Sequence, residues 1–187
     1  RAASANVQGA TGRSRQREYY AYVLLTVGAA NGALLADNWL AFIGFWGLVL
    51  VTLFLLTTIG AADASPAKVM ASAGKSMLVL GAGDLALILG IGIIFAQSGR
   101  LAISETSLSA AGAAGVAAFV LALIGVASKA GGMPMHSWIP DMAEAAPTSV
   151  MALLPASIDK LLGIYLLARM VLGVFAMTTA LNLVLMI

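Results

Sequence analysis

The sequence predicts an all-α, polytopic membrane helix bundle, and three observations predict it. Hydrophobic residues make up 61% of the 187 residues and charged residues only 10%, against about 25% charged in a soluble domain; the mean hydropathy is +0.99. Apolar runs recur at the roughly 20-residue length that a bilayer crossing requires, separated by short polar punctuation. One of those runs is broken at Gly131-Gly132-Met133-Pro134, because Gly weakens a helix and Pro removes a backbone donor. The length accommodates about five or six spans.

Residues 1–18 are polar and basic, with Arg1, Arg13, Arg15 and Arg17, and read as a lead-in outside the apolar bundle. The first apolar run covers 19–35, opened by Tyr19, Tyr20 and Tyr22 in the manner of an interfacial aromatic belt. Ala36-Asp37-Asn38 makes a turn, and a second run over 39–59 follows at once as an antiparallel partner. Residues 60–75 read as a connection, 76–96 as the third span and 97–109 as a second connection. The fourth span is expected over 111–129, followed by the break and a short amphipathic stretch over 135–144. Ala146-Pro147 ends that stretch, Thr148 is expected as an N-cap, and the next helix runs over 148–170. Residues 176–187 read as the start of a further apolar helix. The chain opens on Arg and closes within an apolar run, so it is expected to be an internal portion of a longer polypeptide.

The charges set an orientation. Arg1, Arg13, Arg15, Arg17, Lys68 and Lys75 fall at one end of the alternating spans, and Arg100 and Arg169 at the other. By the positive-inside rule the first end, with residues 1–18, is expected on the cytoplasmic side of a prokaryotic cytoplasmic membrane. The net charge of +2 gives no nucleic-acid signature, and the absence of cysteine removes thiolate metal sites and iron–sulfur ligation from this segment. No metal-ligand cluster, nucleophile triad or phosphate loop is visible. Gly81-Ala82-Gly83 and Gly90-Ile91-Gly92 read as close helix packing, and no strand precedes either to make a nucleotide loop.

Ionised groups at the centre of a bilayer cost about 2.5–3.5 kcal/mol on insertion scales, so those that persist there are functional candidates. Asp84 lies inside the third span, Lys129 at the break, and Lys160, with Asp159 beside it, midway along 148–170. Lys160 is expected to face the bundle interior, water or a carboxylate. A buried lysine can load and release a proton as its surroundings change; a static ion pair with Asp84 or Asp159 is the plainer reading. Lys129 borders unwound backbone, tolerated at membrane depth only inside protein or beside water, and so reads as lining a hydrated path; the plainer reading is a lysine capping free carbonyls at a helix end, which is favourable by itself. His136 is a candidate relay, or a structural residue near an interface. Asp141, Glu144 and Asp37 read first as solvated charges at helix ends.

The stretch Lys129-Ala-Gly-Gly-Met-Pro-Met-His-Ser-Trp-Ile-Pro-Asp141, followed by Glu144-Ala-Ala-Pro-Thr148, resembles the signature of the antiporter-like membrane subunits. These are the proton-translocating subunits of respiratory complex I (NADH-quinone oxidoreductase), of multi-subunit cation/proton antiporters and of energy-converting membrane-bound hydrogenases. Ile158-Asp-Lys160-Leu-Leu-Gly-Ile-Tyr-Leu-Leu-Ala-Arg169, Leu35-Ala-Asp-Asn-Trp39 ahead of Phe45-Trp46, and Gly83-Asp84 are similar to the family too. The match covers about residues 19–175. It implies half of an inverted-repeat antiporter-like fold, in which this chain looks like the fourth to eighth helices, the first five-helix repeat. The broken helix of that repeat carries the switching lysine, here Lys129, and the next carries a lysine or histidine leading to a central hydrophilic axis, here Lys160.

One departure stands out. The family normally has Trp-Glu where this chain has Trp46-Gly47, so the carboxylate that pairs with the broken-helix lysine is missing. Two functions are therefore expected in competition. In the first, the chain is part of a subunit moving protons, or sodium, driven by electron transfer in partners of a complex I-like or hydrogenase-type assembly. The proton path is Lys129, Lys160, Asp84 and His136, with Asp159, Asp141, Glu144 and Asp37 secondary. In the second, it is a non-pumping structural subunit of the membrane arm, marked by Gly47. An unrelated small permease with its substrate at the helix break is a third reading. The resemblance implies other membrane-arm subunits, a peripheral redox module and lipid as partners. No cofactor is expected on this chain, which is not catalytic alone but belongs to a redox-driven ion-translocating oxidoreductase.

Overall fold

The computed structural model describes residues 2–109 and 112–186 and, among these, the side chains of residues 15–109, 112–179, 181–183, 185 and 186. Helices dominate: α1 (Ala2–Leu35), α2 (Trp39–Thr58), α3 (Pro66–Ser98), α4 (Ala113–Ala130), α5 (Trp138–Ala145), α6 (Thr148–Leu153), α7 (Asp159–Arg169) and α8 (Thr179–Met186). Among the described residues, four stretches are long and apolar enough to cross a membrane: α2, α3, Ala113–Ala145 across the break, and Thr148–Val174. That is fewer than the five or six expected. The 19–35 run in α1 falls short of roughly 20 residues and holds Asn31.

Several boundaries move. Helix α1 extends back through the polar lead-in to Ala2, where no proline interrupts the chain; Arg15 and Arg17 on it are exposed. Arg1, the side chain of Arg13 and the expected start of the fourth span at 111 lie outside the described residues. Residues 66–75 are helix, not connection: the Ser65 hydroxyl accepts the Lys68 amide at 3.3 Å and Pro66 occupies the first turn, both favourable at a helix start. Thr148 is the first helical residue; Pro147 is the cap, and no side chain closes it.

The helix expected over 148–170 is interrupted. Residues Leu154–Ile158 form a π-turn, in which the Asp159 amide reaches back to the Leu154 carbonyl, and Met170–Val174 form a second. Such turns insert one residue and rotate everything that follows. A two-strand parallel pair, β1 (Leu108–Ser109) with β2 (Phe175–Ala176), and an Asn38–Ala102 bridge are the extended pieces. Both tie the 99–109 connection to the bundle end. Two-residue strands carry no periodicity for a sequence to reveal.

Helices pack where small residues permit it. A Cβ added at Gly83 would lie 1.8 Å from Ser128 Oγ, and one at Gly90 would lie 3.0 Å from the Ala118 carbonyl. These two glycines, seven apart, put one face of α3 directly on α4. Gly125 answers from α4, since its added Cβ would lie 2.7 Å from Leu87 Cβ. Gly163 brings α7 equally close to α4, its added Cβ 3.0 Å from the Ala130 amide nitrogen. Small residues at crossings are how membrane helices gain contact when lipid is as apolar as they are. Gly81 and Gly92 take no such part, with added Cβ atoms at ordinary contact and in open space respectively.

Candidate functional site

The break between α4 and α5 is a built structure. Gly131 takes a left-handed φ of 72°, available to glycine at little cost, and the Gly132 amide turns back to the Ala127 carbonyl at 2.7 Å. The Met133–Pro134 peptide is cis. A 3₁₀ turn, Met135–Ser137, leads into α5. The buried Trp138 indole N–H donates to the Ser128 carbonyl at 3.3 Å, sharing that acceptor at the end of α4 with the Gly131 amide. The tryptophan of the signature thus ties the start of α5 to the end of α4.

Lys129 is carried inward by the last turn of α4 and is fully buried. Its ammonium has three neighbours from two elements. Nζ donates to the Trp46 carbonyl at 3.3 Å and sits 5.1 Å from the centre of the Trp46 ring, a favourable cation–π distance. The third is Asp159, whose Oδ1 is 3.9 Å away and whose side chain is also wholly buried. Asp159 faces Lys129 because it lies one turn before Gly163, on the face where α7 touches α4.

Asp84 completes the cluster from α3. Its Oδ1 accepts the Trp46 indole N–H at 2.6 Å, and its Oδ2 has no hydrogen-bond partner. Neither Asp159 oxygen has one either. Trp46 therefore links the two charged sides: its carbonyl and ring address Lys129 while its N–H holds Asp84. A buried ion pair is expensive to leave half-made, about 3–5 kcal/mol when one partner is removed.

The other expected residues lie elsewhere. Lys160, expected to face the interior, is exposed on the outer side of α7. It lines a groove of about 280 Å³ with Ile139, Thr148, Met151 and Pro155 and has no ion-pair or hydrogen-bond partner among the described residues. The physical reason is the π-turn, which adds a residue and swings Asp159 inward and Lys160 outward. Lys160 thus forms no ion pair with Asp84 or Asp159. His136 is exposed, and its imidazole makes no hydrogen bond among the described residues. Asp141 and Glu144 reach α3 at the bundle end, pairing with Lys75 and Lys68 at 2.7 Å each.

Asp37 lies at the opposite end, in the α1–α2 turn. Its carboxylate accepts the Ser104 amide at 2.9 Å, the Ser104 hydroxyl at 2.5 Å and Arg169 Nη2 at 3.3 Å. The Ser104 hydroxyl and amide hold its pKa below the ordinary carboxylate value, and the Arg169 charge adds to that. Gly47 carries no carboxylate, and a Cβ added there would meet nothing within 4 Å.

The residues whose weight the sequence understates are Asp159 and Trp46. An aspartate inside an apolar run, next to a lysine, is a signal in itself; the phase of the helix behind a π-turn is not. Among the described residues no group of three or more His, Cys, Asp or Glu side chains could hold a metal ion.

Residues 36–187 match the family model described as NADH:quinone oxidoreductase/Mrp antiporter, transmembrane. A Na(+)/H(+) antiporter subunit of Staphylococcus saprophyticus is 34% identical over 164 residues, spanning 84% of this chain and 20% of that protein. Its counterpart in Alkalihalophilus pseudofirmus, also a Na(+)/H(+) antiporter subunit, is 31% identical over 156 residues, 81% of this chain and 19% of that protein. The chain thus spans about a fifth of the length of the curated relatives it matches. The fold is shared with a chain of the Mrp complex from a Dietzia species, with a TM-score of 0.69, 24% identity and coverage of 79% of this chain and 28% of that one. It is shared also with a chain of an archaeal membrane-bound sulfane sulfur reductase, with a TM-score of 0.65, 23% identity and coverage of 81% and 24%. With its broken helix, inward lysine and four apolar spans, the chain is a membrane-embedded member of the NADH:quinone oxidoreductase/Mrp antiporter family.

Proposed function

We propose that the chain is the part of an antiporter-like subunit that moves protons through one half-channel, with sodium as the exchanged or alternative ion. The observation that supports this best is the buried Lys129–Asp159 pair at the helix break. A lysine and a carboxylate held together without full hydrogen bonding form a centre whose charge can change. Lys129 is the switching carrier, Asp159 and Asp84 are the carboxylates around it, and Trp46 connects them. Lys160 and His136 are proton-path residues outside this cluster. Lys160 faces a neighbouring part of the assembly, and His136 lies at the mouth beyond the break.

Electron transfer in a peripheral redox module of a complex I-like assembly is the proposed driving force, in line with the oxidoreductase half of the family's description. A second reading, exchange of sodium against protons with no redox partner, is favoured by the relatives' names as Na(+)/H(+) antiporter subunits. Either way the partners are other membrane subunits. The proposed location is a prokaryotic cytoplasmic membrane with residues 1–18 on the cytoplasmic side, a sidedness supported by the basic residues at that end.

The test uses the full parent assembly in inverted membrane vesicles, wild type against Lys129→Ala, with acidification followed by a pH-sensitive dye. We expect proton movement to fall at least tenfold. Dependence on an added electron donor identifies redox drive, and dependence on a sodium gradient alone identifies exchange. Proton movement unchanged in Lys129→Ala would mean that the half-channel is silent and the chain a structural element of the membrane arm, the reading that Gly47 invites.

A further inference from the structure

The buried centre does not balance its charge. Lys129 brings one positive group, and Asp84 and Asp159 bring two carboxylates, all buried. Of the elements packed around them, α2 contributes Trp46 and no ionisable group, α3 contributes Asp84, α4 contributes Lys129 and α7 contributes Asp159. The charges of α5, Asp141 and Glu144, are held away from it by Lys75 and Lys68 at the bundle end. With all three groups ionised the interior carries one uncompensated negative charge, which is costly in a low-dielectric setting. One further positive charge belongs to this site.

The hydrogen bonds say which carboxylate takes it. Asp84 has one oxygen already occupied, by the 2.6 Å bond from the Trp46 indole N–H. Both oxygens of Asp159 lack a hydrogen-bond partner, although the side chain is completely enclosed. A buried carboxylate is normally hydrogen-bonded, so this one is the group left open.

We propose that Asp159 is a proton-binding site of this centre: the exchangeable proton sits on its carboxyl group, while Lys129 and Asp84 balance one another across Trp46. The proton arrives by the transport path and forms an O–H bond on Asp159. It leaves by the reverse step, and no electron changes hands. This deepens the reading of the chain as a proton carrier and rests on it. It moves the loading step from the lysine to a carboxylate on α7.

The test is infrared difference spectroscopy on the purified parent assembly, stepping pH in deuterated and ordinary water. A protonated-carboxyl C=O band that appears and disappears with the step is expected in wild type. It is expected to vanish in Asp159→Asn, persist in Asp84→Asn and return at a shifted frequency in Asp159→Glu. The glutamate variant guards against an asparagine protein that simply fails to assemble. A band unchanged in Asp159→Asn, or lost only in Asp84→Asn, overturns the proposal. So does a band absent from the assembled wild type. The Lys129→Ala transport assay is separate. Transport lost there with an unaltered Asp159→Asn spectrum sinks this proposal and leaves the proton-carrier reading standing. Transport retained there sinks that reading, whatever the spectrum shows.

Discussion

The charged residues at the ends of the bundle and those at its centre are built in opposite ways. At one end Asp37 is saturated, accepting from the Ser104 amide and hydroxyl and from Arg169, which also donates to the Ala36 carbonyl at 2.7 Å. At the centre Asp159 has an ion-pair partner at 3.9 Å and no hydrogen bond. A saturated carboxylate has one good arrangement and fixes structure. An unsaturated, enclosed one has spare capacity, and a proton or a shift of partner is what it can accommodate. The difference separates groups that hold the membrane bundle together from groups that change state within it. The largest effect expected from it is the loss of transport in Lys129→Ala.

The next effect comes from the packing that holds the centre closed. Gly83 adjoins Asp84 and lies against Ser128, next to Lys129. A methyl added there would lie 1.8 Å from Ser128 Oγ and 2.5 Å from its Cβ. Gly83→Ala is therefore expected to force α3 off α4 and to destabilise by about 1–3 kcal/mol, as overpacking does, with reduced transport alongside. Gly92→Ala is the control on the same helix, because its added Cβ meets nothing within 4 Å. Thermal unfolding of the parent assembly in detergent should show a lower midpoint for the first and an equal or slightly higher one for the second. Equal midpoints would mean that the close α3–α4 approach does not position the centre.

How much of this was legible in the sequence depends on which physical signal each feature rests on. The break announced itself through Gly131, Gly132 and Pro134, and Lys129 as a charge at membrane depth through its place beside it; that Lys129 is wholly buried and lines no open path was not foreseen. The start of α3 was also written there, as Ser65-Pro66, but the charges of Lys68 and Lys75 disguised it as a connection. The choice between Asp159 and Lys160 was not readable. Adjacent residues on a helix point about 100° apart, so the extra residue of one π-turn decides which of them faces inward. Pro155 stands in that turn, but no local pattern records where the extra residue falls. Trp46 was seen as part of a family dipeptide; that its ring, carbonyl and N–H serve two different charges is a matter of three-dimensional placement.

A smaller effect distinguishes the saturated end. The depressed pKa of Asp37 means that its folded form prefers the ionised state more than the unfolded chain does. Its contribution is fully present above the ordinary carboxylate value of 3.8 and is lost as pH falls through the lower folded value. Hydrogen exchange at the Ser104 amide should stay slow at about pH 5 and quicken only as pH drops well below the ordinary range. In Asp37→Asn the amide should exchange faster at every pH. Protection that fails already near neutral pH would place this end among the changeable groups and remove the contrast with the centre.

The smallest effect belongs to the Lys75–Asp141 pair. Both side chains are close to half exposed, at 42% and 47%, and their 2.7 Å contact is made where water can replace either partner. Exposed pairs contribute about 0–1 kcal/mol, because solvent screens the attraction and two long side chains lose freedom to form it. A double-mutant cycle with Lys75→Gln and Asp141→Asn, read by thermal unfolding, should therefore give a coupling below about 1 kcal/mol. The same cycle on Lys129→Gln and Asp159→Asn should give the larger coupling whenever Asp159 has released its proton, because that 3.9 Å contact is fully buried and unscreened by solvent. If the exposed pair couples as strongly as the buried one, α5 is anchored by its charges. In that event the signature aspartate closes the broken helix as firmly as Trp138 does, and burial is not what sets the centre apart.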